Sequence, residues 1–86
     1  MNINELIEIV KSKIEAEIVM QDLKIEDKSF LHKNHKGNQE GMFHLKLIIK
    51  SEELKRLSKI ESTKKIYSIL NLELKEHIHS IQILLS

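Results

Sequence analysis

The sequence predicts a small α/β domain of the α+β kind, in which a three-stranded sheet is covered on one face by helices. Three observations predict this class: a helical repeat of apolar residues near the N-terminus, an alternating segment after residue 42, and a second alternating segment at the C-terminus. The predicted element order is αββααβ. The chain has 86 residues, so we expect residues 1–86 to form a single domain.

The first half of the chain predicts one helix followed by a β-hairpin. Asn2 or Asn4 can cap the helix, and charged residues occupy its other face. From Leu23 the pattern changes to alternation, which predicts a short strand. The segment FHLKLIIK, residues 43–50, alternates more clearly and is expected to pair with it. The apolar residues at helical spacing in the first helix are Ile3, Leu6, Ile7, Val10 and Ile14.

The second half predicts two further helices and a last strand. Ser51 precedes two acidic residues and predicts a short helical turn that buries Leu54 and Leu57. Ser58 or Ser62 can cap a longer helix. One face of that helix is expected to carry Ile66, Tyr67, Leu70 and Leu74. The last strand is IHSIQILLS. One set of its alternate positions is occupied by His79, Ile81, Ile83 and Leu85.

Composition narrows the function classes. Fourteen Lys/Arg and 13 Asp/Glu give a formal net charge of +1, which favours neither nucleic acid nor an acidic substrate. The chain has no cysteine, so it cannot form a disulfide, and the cytoplasm is the expected location. The N-terminal segment lacks a basic start and carries Glu5 and Glu8. We therefore expect neither a signal peptide nor a membrane span.

The histidines are the strongest candidates for functional residues, because imidazole is the commonest metal ligand and titrates near neutral pH. His32 and His35 lie in the polar loop segment LHKNHKGNQEGMFH, residues 31–44, where a solvated side chain is the ordinary outcome. His44 is expected to be structural or to support the loop. His77 is expected at a helix end, near the last carbonyls. His79 could be a hydrogen-bonded strand residue.

Four segments, in this order, resemble the BolA family. LKIEDKS resembles the family's strand that ends in an acidic residue and a serine, and HKNHKG resembles its histidine-bearing loop. FHLKLIIKSEEL resembles the histidine at the loop exit and the strand that leads to a serine-capped turn. YSILNLELKEHIHSI resembles the long helix that runs into a strand opening with Ile-His. The resemblance extends from Leu23 to Leu84.

The resemblance implies a fold similar to the type II KH domain and a role beside a monothiol glutaredoxin, with one [2Fe-2S] cluster held jointly. Glutaredoxin and glutathione would supply the sulfur ligands. The BolA-like chain would supply the histidine of its last strand and a histidine or cysteine of its loop. Mapped onto this sequence, these residues are His79 and either His32 or His35. Imidazole can replace thiolate in such centres, but it must be neutral to bind.

No catalytic machinery is predicted, so we expect the protein not to be an enzyme. GNQEG lacks the residues of a phosphate-binding loop, and Ser29 and Ser51 are better explained by turn formation and capping. The alternative function is a DNA-binding transcriptional regulator. Its candidate phosphate contacts are Lys55, Arg56, Lys59, Lys64 and Lys65.

Four features weaken the DNA-binding alternative. Acidic residues are interleaved with these cations, the chain has only three aromatic residues, and no GxxG loop is present. The family's basic Arg-His-Arg type triplet is replaced here by Ser62, Thr63 and Lys64. A homodimeric interaction module without metal or DNA is a third possibility.

Overall fold

The computed structural model of the protein describes residues 1–29 and 42–86. In chain order its elements are α1 (Ile3–Glu17), β1 (Asp22–Asp27), β2 (Phe43–Lys50), α2 (Glu52–Lys55), α3 (Lys59–Ile69), α4 (Asn71–Glu76) and β3 (Ile78–Leu85). The predicted α+β class is confirmed, and so is the position of every strand to within one or two residues. None of the helices in the described part of the chain is long and apolar enough to cross a bilayer.

β2 is the central strand of a mixed three-stranded sheet. β1 pairs with β2 in antiparallel orientation, which confirms the predicted hairpin, and β3 pairs with the other side of β2 in parallel orientation. A parallel pair needs a crossover connection, and the three helices after β2 supply it. This crossover brings the start of β3 beside the start of β2.

The helices bury one face of the sheet. Leu45, Leu47 and Ile49 of β2 point to that face and are at most 2% exposed. α1 contributes Leu6, Val10 and Ile14 at its apolar stripe, as the helical spacing predicted. Burying each of these side chains stabilises the fold by about 2 kcal/mol. The same core also contains Ile18, Leu54, Ile66, Leu70 and Ile78.

The structure resolves the open capping choices. The side chain of Asn2, not Asn4, caps α1 by accepting a hydrogen bond from the backbone N–H of Glu5 at 2.9 Å. Ser58, not Ser62, caps α3. Side-chain oxygens at these positions satisfy backbone donors that a helix leaves unpaired at its first turn.

Ser51 caps α2, as predicted, and also ties α2 to the segment after α1. Its Oγ accepts a hydrogen bond from the backbone N–H of Leu54 at 3.2 Å and donates one to the backbone carbonyl of Val19 at 2.7 Å. Ser51 is almost fully buried. The hydroxyl therefore satisfies two backbone groups from a buried position.

The prediction of one long helix after the capped turn is wrong, because α3 and α4 are separate. Leu70 joins them with φ −98° and ψ 17°, outside regular helical geometry. Its N–H still donates to the carbonyl of Ile66 at 3.0 Å, and its own carbonyl accepts from the N–H of Leu74 at 2.8 Å. Leu70 is fully buried, so packing fixes the bend. Tyr67, predicted on the buried face, is instead 44% exposed at the margin of that face.

Candidate metal-ligand site at the start of β3

A β-bulge displaces His79 from the regular pattern of β3. Phe43 is in register with Ile78 and His44 is in register with Ser80, so His79 is the extra residue between the two pairs. A bulge of this kind shifts the alternation of side chains by one position. Ile78 therefore lies in the core, while His79 is exposed.

The prediction that His79 shares the face of Ile81, Ile83 and Leu85 is therefore wrong. Those three side chains face the helices and pack against the core, whereas His79 faces solvent. Counting alternate positions assumes one residue per step along the strand. The inserted residue breaks that count, and nothing in the letters IHSI marks it.

His44 of β2 lies beside His79. The centroids of the two imidazole rings are 5.0 Å apart, and the ring planes are tilted by 56°. His44 is on the sheet face opposite the helices, as its place between Phe43 and Leu45 predicted, yet it is only 4% exposed. Its Nδ1 lies 2.6 Å from Oγ of Ser80, and the tautomer of the ring decides which atom donates.

The backbone of His44 is held by the end of β1. Its N–H donates to Oγ of Ser29 at 3.1 Å, and its carbonyl accepts from the N–H of Lys28 at 2.7 Å. The N–H of Ser29 in turn donates to Oδ1 of Asp27 at 2.9 Å, which is an Asx-turn. The segment Asp-Lys-Ser thus fixes the backbone of His44. Ser29 lies in a turn, as expected, but the side chain that closes the turn is that of Asp27.

A polar cleft of about 370 Å³ opens next to His44 on the same face of the sheet. Lys28, Lys46 and Ser80 line it together with His44. Lys28 is also 3.8 Å from a carboxylate oxygen of Glu26, which offsets part of its charge. Two lysines in the lining of a cleft favour anionic groups over cationic ones.

His77 occupies a different environment, although it is only two residues from His79. It ends α4, where its backbone N–H donates to the carbonyl of Glu73. The expected contact of its ring with the last carbonyls of the helix stays a prediction. Its Nε2 is 3.9 Å from a carboxylate oxygen of Glu76. The ring of His77 thus lies beside its own helix, while its backbone carbonyl accepts a hydrogen bond from the N–H of Phe43 at 2.9 Å.

The loop histidines His32 and His35 lie outside the described residues, so their predicted ligand role stays a prediction. Within residues 1–29 and 42–86, no group of three or more His, Cys, Asp or Glu side chains is arranged to hold a metal ion. His79 and His44 together offer two ring systems. A metal centre built on them needs donors from elsewhere.

The cations named for the DNA-binding alternative lie on and beside α2 and α3. Lys65 is half-buried, and its Nζ is 3.6 Å from a carboxylate oxygen of Glu53. Its charge is therefore already paired and is less available to a phosphate than an exposed lysine. The cations that are exposed are Lys55, Arg56, Lys59 and Lys64. Ile60 lies among them with 68% of its surface exposed.

The fold and the site define a class: a small α+β domain with a mixed three-stranded sheet and an exposed histidine where its parallel edge strand begins. The family model described as "BolA-like protein" matches residues 14–86 of this chain. A protein of Haemophilus influenzae named "DNA-binding transcriptional regulator BolA" is 34% identical over 74 residues, which cover 86% of this chain and 69% of that protein. The chain belongs to the BolA-like family.

Solved structures agree with this assignment. The BolA domain of SufE1 from Arabidopsis thaliana has a TM-score of 0.77 and 27% identity, and the match covers 100% of this chain and 93% of that one. BolA1 from Arabidopsis thaliana has a TM-score of 0.75 and 25% identity over 90% and 85% of the two chains. A Bol-like protein from Babesia bovis, with a TM-score of 0.70 and 17% identity over 91% and 79%, shows the fold alone.

Proposed function

We propose that this protein is a non-enzymatic adaptor that binds a monothiol glutaredoxin and holds one [2Fe-2S] cluster jointly with it. The observation that carries the proposal is the exposed imidazole of His79, which the bulge turns out of the sheet beside the buried ring of His44. A ligand shared between two proteins must be accessible to the partner and fixed in position. His79 meets both conditions, since its backbone belongs to a strand and its side chain reaches solvent.

The histidines of this chain are suited to supply half of the ligands of such a cluster. Iron–sulfur clusters are held mainly by thiolates, but two imidazoles can take the place of two thiolates. This chain has no cysteine, so every sulfur donor would come from the partner and its glutathione. His79 would supply one nitrogen, and His32 or His35 would supply the second. When bound, a cluster with imidazole ligands has a raised reduction potential and is sensitive to protons.

His44 supports this role as a positioning residue. Its ring packs against that of His79, and Ser80 and Ser29 hold its side chain and its backbone. The nearby cleft with Lys28 and Lys46 favours anionic groups, which is the charge that a thiolate-rich partner site brings.

The experiment is anaerobic reconstitution with a monothiol glutaredoxin, followed by size-exclusion chromatography and visible absorption. We expect a coloured heterodimer that is lost in His79→Ala. The matched control is His77→Ala, which removes an imidazole two positions away and should keep the colour. Absence of a coloured heterodimer, or an unchanged one in His79→Ala, would contradict the proposal. His32→Ala and His35→Ala then identify the loop ligand.

A DNA-binding regulator is the second candidate, favoured by the name of the Haemophilus influenzae relative and by the exposed cations of α2 and α3. Phosphate contacts make DNA affinity fall with salt, with a slope that decreases by about one for each contact removed. Gel shifts with duplex DNA at several salt concentrations, comparing the wild type with Lys59→Ala and Lys64→Ala, test this role. A salt-sensitive shift without any coloured heterodimer would make it the leading function.

A further inference from the structure

The two edges of the sheet differ in charge. β1 has six residues, DLKIED, of which Asp22, Lys24, Glu26 and Asp27 are charged. β3 has eight residues, IHSIQILL, and none of them is Asp, Glu, Lys or Arg. Charged side chains on an edge strand oppose pairing with a strand of another molecule. β1 is therefore protected against such pairing, and β3 is not.

β3 also carries apolar surface to its edge. Within the described residues it pairs with β2 alone, which leaves the backbone groups of its other side without a strand partner. Ile81, Ile83 and Leu85 are only partly buried, whereas the β2 residues beside them are at most 2% exposed. On the opposite face of β3, Leu84 is 41% exposed. Another strand at this edge would cover both rows.

We propose that β3 is the surface through which two copies of this chain associate, pairing in antiparallel orientation about a two-fold axis at Gln82. The two sheets would then form one six-stranded sheet. In this register Ile81 opposes Ile83 of the second copy on the helix-covered side, and Ser80 opposes Leu84 on the other. Residues opposite each other in an antiparallel pair share a face, so apolar side chains meet on the side of the core.

Self-complementarity favours a second copy over a different partner. In a two-fold pair a charged residue near the axis faces its own equivalent, which is repulsive, and β3 has no such residue. A single strand from each copy makes a small interface, so the dimer is weak and depends on concentration. The inference does not rest on the proposed cluster-binding function.

Sedimentation over roughly a hundredfold range of protein concentration tests this dimer. We expect a monomer–dimer equilibrium, weakened about tenfold or more in Gln82→Lys, because two ammonium groups then meet at the axis. Gln82→Asn is the neutral control and should dimerise like the wild type. A wild type that stays monomeric throughout the range, or a folded Gln82→Lys that dimerises equally well, overturns the proposal.

A single cysteine gives a second and independent test, since the chain has none of its own. Residues facing each other across an antiparallel pair place their Cβ atoms near the separation that a disulfide requires. Under mild oxidation Gln82→Cys should become a covalent dimer much faster than Lys24→Cys on the edge of β1. Equal rates for the two variants would mean random collision and would overturn the proposed pairing.

Discussion

The imidazole rings of His44 and His79 lie 5.0 Å apart, although one belongs to the central strand and the other to an edge strand. Parallel pairing of β2 with β3 brings the two strand starts together, and the bulge lets one ring reach solvent while the other stays buried. A fixed inner ring beside an exposed outer ring is an arrangement suited to a ligand that a second protein has to reach.

His44 should contribute to stability as well as to the site. We expect His44→Ala to lower the free energy of unfolding by about 2 kcal/mol, because it leaves a cavity and removes the hydrogen bond to Ser80. Urea unfolding followed by circular dichroism measures this change. His77→Ala is the control and should cost about 1 kcal/mol or less, because the side chain of His77 is only half-buried. Equal effects of the two variants would contradict the role of His44 as a packed residue.

The cluster of the mixed complex should be lost on mild acidification. Protons compete with iron for an imidazole nitrogen, so we expect the affinity for the cluster to fall as the pH is lowered. Visible absorption during a pH titration measures the loss. The control is the cluster bound by glutaredoxin alone, whose ligands are thiolates and which should persist at the pH at which the mixed complex loses its cluster. Identical pH profiles would contradict imidazole ligation by this chain.

Ser51 should matter more for stability than the other serine cap. Ser51→Ala removes a helix cap and also leaves the carbonyl of Val19 without its hydrogen bond, so we expect a loss of about 2 kcal/mol. Ser58→Ala removes an exposed cap only and should cost about 1 kcal/mol. Thermal or urea unfolding of the two variants checks this order, and a reversed order would contradict the assignment of Ser51.

The ion pair between Lys13 and Glu73 joins α1 to α4. Nζ of Lys13 is 2.6 Å from Oε2 of Glu73, a residue that is 4% exposed, and Oε1 is buried without a hydrogen-bond partner among the described residues. Lys13→Met leaves the carboxylate of Glu73 buried without its cation, so we expect the free energy of unfolding to fall by about 1–2 kcal/mol. This loss is smaller than for a fully buried pair because the lysine is partly exposed.

A double-mutant cycle isolates that pair. Adding Glu73→Leu to Lys13→Met should recover much of the loss, with a coupling energy of about 1 kcal/mol. The more exposed pair of Lys24 and Glu26, whose charged atoms are 3.9 Å apart, is the control and should show a coupling energy close to zero. Coupling of equal size in the two cycles would contradict the importance of burial at Glu73.

Local periodicity predicted the elements but not the way in which they meet. The alternation of residues 43–50 and the polar residues before each helix predicted β2 and the helix starts, because these features depend on a few neighbouring residues. The bend at Leu70 and the bulge at His79 depend on packing between distant elements. The proximity of His44 and His79 depends on a parallel register that neither strand encodes alone.

The same limit explains why the sequence predicts for His44 only a structural role or support of the loop. Its position between Phe43 and Leu45 correctly placed it on the outer face of the sheet, but no local signal placed Ser80 and His79 beside it. His79 was singled out through the family resemblance and not through its own pattern. For this chain, the predicted ligand role of His79 comes from the family resemblance, and the predicted fold comes from the alternation and helical spacing of apolar residues.

The most direct test of the central claim is pulsed electron paramagnetic resonance of the reduced mixed complex, with ¹⁵N in this chain only. The account predicts a strong ¹⁵N coupling to the cluster in the wild type and in His77→Ala, and no signal from a cluster-containing complex in His79→Ala. A cluster-containing complex without ¹⁵N coupling, or with a coupling unaffected by His79→Ala, would contradict it.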